Sequence, residues 1–193
     1  MGTEYNLIIN YGSSLVGEDK LLNLKDLVKS TSTLLGDVCE VGVYRGGTAK
    51  IISENIKNSD LFLFDTFEGM PYYDPDNNKE WDVGTFGQTD YETVKSLFQS
   101  NQNVKVFKGV FPSETSHHVK DRVFKFVHLD VDNYQPYKEC LKFFYERMVK
   151  GGIIIFDDYD GECCPGANKA VDEFFIDKPE NIQKNVGVYI VKL

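Results

Sequence analysis

The sequence has few cysteines, few basic residues and no long apolar run. Its 193 residues include four cysteines, and none of them forms a C-x-x-C pair, so a zinc site of that type is not expected. Lys and Arg number 21 against 30 Asp and Glu, which gives a net charge of −9. Nucleic acids and anionic membranes attract clustered Lys and Arg, so neither is expected as the main partner. No apolar segment is long enough to span a bilayer.

The start of the chain and the cysteines bear on the compartment. The first residues, MGTEYNLIIN, lack the basic segment, apolar stretch and cleavage site of a secretory signal. Cys163 and Cys164 are adjacent, which disfavours a structural disulfide between them. These features favour free thiols in a reducing compartment, and we expect a cytoplasmic protein. The length favours one domain over residues 1–193.

Apolar runs alternate with helical patterns along the chain, which is typical of an α/β fold with a parallel sheet. The pattern predicts a doubly wound, mostly parallel sheet of seven strands with helices on both faces, and with the last strand antiparallel in a terminal hairpin. Residues 1–35 are predicted to form an N-terminal helical region. Residues 68–88, rich in Gly, Pro, Asp and Asn, are too many for a simple connection and are predicted to form a lid loop. The predicted strands cover 37–41, 61–64, 104–107, 123–129, 153–156 and 186–191; the predicted helices cover 20–33, 48–56, 91–98, 136–148 and 167–175, with a short helix within 112–119.

Every predicted parallel strand ends in a polar residue or a glycine. In open α/β sheets, ligands bind outside the carboxyl ends of the strands, so these residues are the candidate site. They are Glu40 and Gly42 after the first strand, Asp65 after the second, Lys108 and Gly109 after the third, Asp130 and Asp132 after the fourth, and Asp157 and Asp158 after the fifth.

The first turn, EVGVYRGGT, has the composition of a nucleotide-type site. Its glycines, Gly42, Gly46 and Gly47, allow backbone to approach a ligand closely and to open a helix towards it. Glu40 would repel the pyrophosphate of a dinucleotide, but it suits the cationic methionine end of S-adenosylmethionine. Asp65, about 20 residues beyond the turn, is placed to hydrogen-bond ribose hydroxyls.

The aspartates after the fourth and fifth strands predict a metal site. Asp130 and Asp132 are two residues apart and would project to the same side of a strand. Asp157 and Asp158 follow the apolar strand GGIIIF and reach one site together if the chain turns there. Converging carboxylates repel one another, and a hard cation such as magnesium, calcium or manganese relieves that repulsion. His128, inside the fourth strand, is interpreted as a core residue or as a support for the site.

Six motifs carry a resemblance to a known family over residues of about 20–193, in the order in which that family has them. They are EVGVYRGGTA, DTFEGMP, FKGVF, HLDVDNYQPYK, GGIIIFDDYD and PGANKAVDEFF. The chain thereby resembles the macrocin O-methyltransferase family, which methylates sugar hydroxyls in antibiotic biosynthesis. The resemblance implies the Rossmann-like class I methyltransferase fold, S-adenosylmethionine as cofactor, and dependence on Mg²⁺.

The resemblance also implies roles for individual residues. Asp130, Asp157 and Asp158 resemble the metal ligands, and Asp132 resembles the general base. The residues that resemble the cofactor site are Glu40, Gly42, Arg45, Gly46, Thr48, Asp65, Thr66, Gly109 and Asp130.

We therefore expect a metal-assisted O-methyltransferase acting on a hydroxyl of a small molecule, a sugar or a glycosylated metabolite, with a homo-oligomer left open. A catechol or phenol acceptor would use the same metal chemistry. A magnesium phosphatase of the haloacid dehalogenase type is an alternative, because FVHLDVDN resembles its Asp-x-Asp strand, but only 63 of the 193 residues follow Asp130. Glu40 disfavours a nicotinamide oxidoreductase, and a module that binds the cofactor without catalysis also remains open.

Overall fold

The computed structural model describes residues 14–75 and 82–193. Residues 1–13 of the predicted helical region and residues 76–81 of the predicted lid loop lie outside the described residues. In chain order the elements are α1 Glu18–Ser30, β1 Asp37–Val41, α2 Gly47–Asn55, β2 Leu61–Asp65, α3 Tyr91–Leu97, β3 Val104–Lys108, a 3₁₀ turn Ser116–His118, β4 Phe124–Leu129, α4 Tyr134–Tyr145, β5 Met148–Phe156, α5 Pro165–Phe175, β6 Gln183–Lys184 and β7 Val188–Val191.

The strands form one sheet in the order β3-β2-β1-β4-β5-β7-β6. The first five strands in that order are parallel, while β7 pairs antiparallel with both β5 and β6. This arrangement confirms the predicted doubly wound sheet and its terminal hairpin. The strand order reverses between β1 and β4, and ligands bind at such a reversal in sheets of this kind.

Helices cover both faces of the sheet, and alternate strand residues pack against different helices. Val38 and Phe126 belong to the apolar cluster that includes α1, α2 and α3. Cys39 and Val127, their neighbours along the chain, belong to the cluster that includes α4 and α5. The period of two therefore puts Glu40 and His128 on the α1 face, at the end of the sheet nearest the switch point.

Helix α1 brings its first turn to the carboxyl edge of the sheet. Leu21, Leu24 and Val28 are buried at helical spacing and fix this helix against the sheet. Lys20 follows two residues after the helix begins, so its side chain lies beside the residues that end β5. Helix α1 therefore contributes a lysine to the edge of the sheet where the candidate site residues lie.

The largest difference from the predicted boundaries lies where α4 ends and β5 begins. Helix α4 ends at Tyr145, and Met148 already belongs to β5, which continues through Gly151 to Phe156. Gly151 has φ +80, and the pairing of β4 with β5 shifts register nearby, so the glycines accommodate an irregular strand instead of ending a helix. The predicted helix within 112–119 is only the 3₁₀ turn Ser116–His118.

Within residues 14–75 and 82–193, no helix combines the length and the apolar character needed to cross a bilayer.

Candidate active site

A cavity of about 1050 Å³ opens at the carboxyl edge of the sheet. Its walls come from residues that follow the five parallel strands and from the chain around the start of α1. Apolar groups such as Met70, Phe86 and Phe111 line it together with the polar strand ends. The predicted site residues in its lining are Gly42, Thr48, Asp65, Thr66, Gly109, Asp130, Asp132, Asp157 and Asp158.

Gly42 is required where the ends of β1 and β4 meet. Its φ is +87, and a Cβ atom at this position would lie 1.7 Å from the carbonyl oxygen of Asp130. The amide of Asp130 donates to the carbonyl of Val41 at 3.0 Å, which extends the β1–β4 pairing to this point. The two strand ends therefore approach so closely that only glycine fits, and Asp130 is held at the cavity.

Asp65 organises the turn after β1. Its Oδ2 accepts hydrogen bonds from the amides of Val43 and Tyr44 at 2.7 and 2.8 Å, and its Oδ1 accepts from the amide of Phe67 at 2.6 Å. Thr66 donates its hydroxyl to the carbonyl of Gly69 at 2.6 Å and so closes the next turn. Asp65 therefore shapes two loops while it lines the cavity, and its bond to a ribose stays a prediction.

Three of the predicted cofactor residues lie away from the cavity. Arg45 is exposed, and its Nε donates to the carbonyl of Gln88 at 2.8 Å, so it ties the first turn to the segment before α3. Gly46 precedes α2 with φ +84 and faces the side chain of Leu97. Glu40 has no exposed surface, because the strand pleat turns it beneath the α1 face. None of these three residues is among the described residues that line the cavity, and their contacts with a cofactor stay predictions.

Glu40 instead contacts His128, its register partner on β4. Nδ1 of His128 lies 2.8 Å from Oε1 of Glu40, and Nε2 of His128 lies 3.6 Å from Oδ1 of Asp157. Within the described part of the chain, Oε2 of Glu40 has no hydrogen-bond partner. Burial opposes the charge on His128, but the two carboxylates outweigh it and raise the pKa of the imidazole to about 10.

Three aspartates converge at the cavity. Asp130, Asp157 and Asp158 each offer one oxygen, and these oxygens lie within 4.8 Å of one another. Burial and the neighbouring carboxylates raise the pKa of Asp130 well above its ordinary value, and burial and Asp157 raise the pKa of Asp158 to about 6. Burial also opposes the charge on Asp157, but His128 and Lys20 outweigh it and lower the pKa. Repulsion between these buried carboxylates costs free energy unless a cation offsets it, and a site made only of oxygen ligands fits a hard divalent cation.

Asp132 reaches the same cavity by a turn, so the expected strand geometry is wrong here. Strand β4 ends at Leu129, and Asp132 has φ +57, a left-handed conformation that is uncommon for a residue other than glycine. Its amide donates to Oδ2 of Asp158 at 2.9 Å, and its Oδ1 lies 3.8 Å from Sγ of Cys164. Burial and the charges of Asp158 and Asp157 raise the pKa of Asp132 well above its ordinary value.

Three contacts in the site lie outside the sequence prediction. Lys20 donates to the carbonyl oxygen of Asp157 at 2.6 Å and lies 3.3 Å from its Oδ2, although 137 residues separate the two. The hydroxyl of Tyr137 lies 2.9 Å from Oδ2 of Asp158. Cys164, a free thiol, lines the cavity beside Asp132. Tyr137 follows the HLDVDN motif closely enough to be a candidate, whereas no sequence spacing relates Lys20 or Cys164 to the aspartates.

The known proteins to which this chain is similar in sequence or in structure are O-methyltransferases. The model of the family described as Macrocin-O-methyltransferase (TylF) matches residues 8–189. The chain is 26% identical over 180 residues to mycinamicin III 3''-O-methyltransferase of Micromonospora griseorubida, covering 83% of this chain and 69% of the relative. It is 23% identical over 188 residues to demethyldecarbamoylnovobiocin O-methyltransferase of Streptomyces niveus, covering 83% and 67%. The solved O-methyltransferase NovP superimposes with a TM-score of 0.74 at 22% identity, over 93% of this chain and 81% of that one, a likeness that shows the fold.

Proposed function

Because the chain belongs to the macrocin-O-methyltransferase family and is therefore an O-methyltransferase, we propose that it methylates a hydroxyl of a sugar or glycosylated small molecule with the help of a divalent metal. The observation that carries the metal part is the convergence of Asp130, Asp157 and Asp158 on one wall of the cavity. The relatives that are named for O-methylation of mycinamicin III and of demethyldecarbamoylnovobiocin support the choice of a sugar acceptor.

The cofactor would occupy the part of the cavity nearest β1 and β2. S-adenosylmethionine, when bound, supplies a methyl group activated by its sulfonium. Gly42, Thr48, Asp65 and Thr66 line that part of the cavity. The start of α2 also points its first amides towards the turn, which suits the carboxylate of an amino acid.

The metal would lie at the three converging aspartates. Asp130, Asp157 and Asp158 would hold Mg²⁺, which when bound lowers the pKa of a coordinated hydroxyl. The raised pKa values of Asp130 and Asp158 mark an excess of negative charge that a cation at this position would relieve.

Asp132 is proposed as the general base. Asp132 would accept the proton of the acceptor hydroxyl, and S-adenosylmethionine, when bound, would supply the methyl group to that oxygen and leave as S-adenosylhomocysteine. Burial and the nearby aspartates raise the pKa of Asp132, which makes it a stronger proton acceptor than an exposed carboxylate. The left-handed backbone conformation of Asp132 turns this residue into the cavity, beside the three proposed metal ligands.

The proposal also covers the domain organisation, the loop 68–88 and the location of the protein. Residues 1–193 would form a single domain in which the segment 68–88 closes over the acceptor, since Gly69, Met70, Pro71 and Phe86 line the cavity. A cytoplasmic location agrees with the four free thiols.

The test is a methyl-transfer assay followed by mass spectrometry, with glycosides and nucleotide sugars compared with catechols. We expect a gain of one methyl group on a sugar hydroxyl that requires Mg²⁺ and is abolished by chelation. Asp157→Ala should lose the response to Mg²⁺, while the control Asp160→Ala should keep it, because Asp160 is exposed and pairs with Lys184. Methylation of catechols alone would move the acceptor to the phenols, and turnover that ignores Mg²⁺ would remove the metal from the proposal.

A further inference from the structure

We infer that Glu40 and His128 form a buried support for Asp157, and that this pair sets the metal affinity of the site without contacting metal, cofactor or acceptor. The inference deepens the proposed function and rests on the metal site proposed there. It also gives Glu40 a role different from the cofactor contact that the sequence suggested.

The pair is built by the register of two strands. Glu40 and His128 are partners across β1 and β4, and both side chains lie on the α1 face. They are 0% and 1% exposed, and Nδ1 of His128 lies 2.8 Å from Oε1 of Glu40. The core positions behind them on the same face, Val38 and Phe126, are apolar. Two hydrogen-bonded polar side chains therefore replace apolar packing at the end of the strands that faces the site.

If the Glu40–His128 pair only filled space in the core, its burial would cost free energy. Burying a carboxylate carries a large desolvation penalty that good hydrogen bonding must offset. Among the residues that the structure describes, Oε2 of Glu40 finds no hydrogen-bond partner. An apolar pair of similar size would fill this space without that cost, which indicates a role beyond filling the core.

The far edge of the imidazole faces a proposed metal ligand. Nε2 of His128 lies 3.6 Å from Oδ1 of Asp157. On the other side, Nζ of Lys20 lies 3.3 Å from Oδ2 of the same carboxylate. Asp157 thus lies between the imidazole and the Lys20 ammonium, and Glu40 fixes the orientation of the buried imidazole.

The expected effect is on metal affinity. Groups behind a metal ligand fix its orientation, and their replacement typically weakens metal binding by about 10–100-fold. Glu40 is absent from the cavity lining given by the described residues, and so is His128, which faces a separate smaller cavity behind Asp157. Cofactor binding without metal should therefore not change.

The test measures metal and cofactor binding separately in His128→Gln and Glu40→Gln. Mn²⁺ serves as the metal probe, with free Mn²⁺ followed by electron paramagnetic resonance, and S-adenosylhomocysteine is titrated by calorimetry without metal. Both variants should bind Mn²⁺ about 10–100-fold more weakly and S-adenosylhomocysteine as the wild type does. Saturating metal should restore kcat. Lys125→Met is the control, since Lys125 is a buried charge on the same strand that contacts only the carbonyls of Leu34 and Lys57 among its described hydrogen bonds.

The outcomes separate this inference from the proposal beneath it. If the wild type binds Mn²⁺ and Asp157→Ala does not, while His128→Gln and Glu40→Gln keep the wild-type affinity with only a lower Tm, the pair is structural and the inference is overturned. If neither the wild type nor Asp157→Ala binds Mn²⁺, the metal site itself fails, and the inference fails with it. Should His128→Gln not fold, Glu40→Gln decides, because it keeps the shape of the side chain.

Discussion

At the scale of residues, four aspartates at the ends of β4 and β5 carry most of the proposed chemistry. Three of them converge within 4.8 Å, and the fourth, Asp132, turns into the same cavity. Their environments differ: His128 and Lys20 overcome burial and lower the pKa of Asp157, whereas burial and neighbouring charge raise the pKa of Asp132. These opposite shifts in pKa agree with the proposed roles of Asp157 as a metal ligand and of Asp132 as a proton acceptor.

Replacement of Asp132 tests the base. Asp132→Asn should lower kcat by about 10²–10⁴-fold, because the amide cannot take the proton of the acceptor hydroxyl. Binding of Mn²⁺ and of S-adenosylhomocysteine should stay at the wild-type level, since the three proposed metal ligands remain. Single-turnover kinetics and calorimetry measure the two effects. Full activity in Asp132→Asn would refute the assignment of the base.

The acidic cluster predicts a dependence on pH with a definite sign. The pKa of Asp158 is raised to about 6, so without metal its protonated form favours the folded state, and this stability is lost as pH rises through that value. Bound Mg²⁺ needs the ionised carboxylates and reverses the effect. Addition of Mg²⁺ should therefore raise Tm more at about pH 7.5 than at about pH 5.

Differential scanning calorimetry at the two pH values measures this difference, with Ca²⁺ and Na⁺ compared with Mg²⁺. An equal increase in Tm at both pH values would show that Mg²⁺ acts elsewhere on the protein.

At the scale of elements, the start of α4 is fixed by the loop that follows β2. Asn133 precedes the helix and makes no capping bond with its own side chain. Instead, Oδ2 of Asp74 accepts from the amide of Tyr134 at 2.7 Å, and the amide group of Asn133 donates to the carbonyl of Tyr72 at 2.8 Å. The loop thus satisfies a free donor at the helix N-terminus and stays beside Asp132.

Asp74→Ala should lower the free energy of unfolding by about 0.5–2 kcal/mol, as the loss of other N-terminal caps does. The KM for the acceptor should rise as well, because the loop loses one of its contacts with the start of α4. Urea unfolding and steady-state kinetics measure the two quantities. Asp82→Ala is the control, since Asp82 bonds the amide of its neighbour Val83, and a loss of stability equal to that of Asp74→Ala would exclude the capping role.

The contact between the ends of β1 and β4 tolerates only glycine. Gly42→Ala would put its Cβ 1.7 Å from the carbonyl oxygen of Asp130, so one of the two strand ends must move. The expected loss is about 3 kcal/mol or more in the free energy of unfolding. Gly17→Ala is the matched control, because no atom of the described residues, apart from its neighbours along the chain, lies within 4 Å of its Cβ position; thermal denaturation should show a clear difference between the two variants.

Buried parallel strands could be predicted well from the sequence. The predicted strand 37–41 matches β1, and β2, β3 and β4 differ from prediction by one residue at one end. In β2 and β4 both faces are covered, so these strands are largely apolar runs, whereas β3 at the edge of the sheet is partly exposed; a turn signal ends each strand. The candidate residues at the strand ends follow from the same rule, since five parallel strands deliver their carboxyl ends to one edge.

What could not be predicted depends on pairing between distant segments. The pleat and the β1–β4 register decide that Glu40 points beneath α1 rather than into the cavity, and the sequence gives no register. Lys20 reaches Asp157 only because α1 packs on that face. Gly151 lies inside β5, since a glycine pair fits an irregular strand as well as a helix end.

At the scale of the whole molecule, the family match spans residues 8–189, and the cavity lies at the switch point of the sheet. The net charge of −9 is concentrated in part on the wall of that cavity, where four aspartates meet. Such a wall attracts cations and suits a sulfonium cofactor together with a divalent metal. The proposed methyl transfer therefore depends on the joint binding of these two cations.

Calorimetric titration of the purified protein measures that binding most directly, with S-adenosylmethionine, S-adenosylhomocysteine and NAD as ligands, each with and without Mg²⁺. We expect binding of the first two and none of NAD, together with Mg²⁺ binding that Asp157→Ala abolishes. Binding of NAD alone, or of none of these ligands, would refute the proposed methyl transfer.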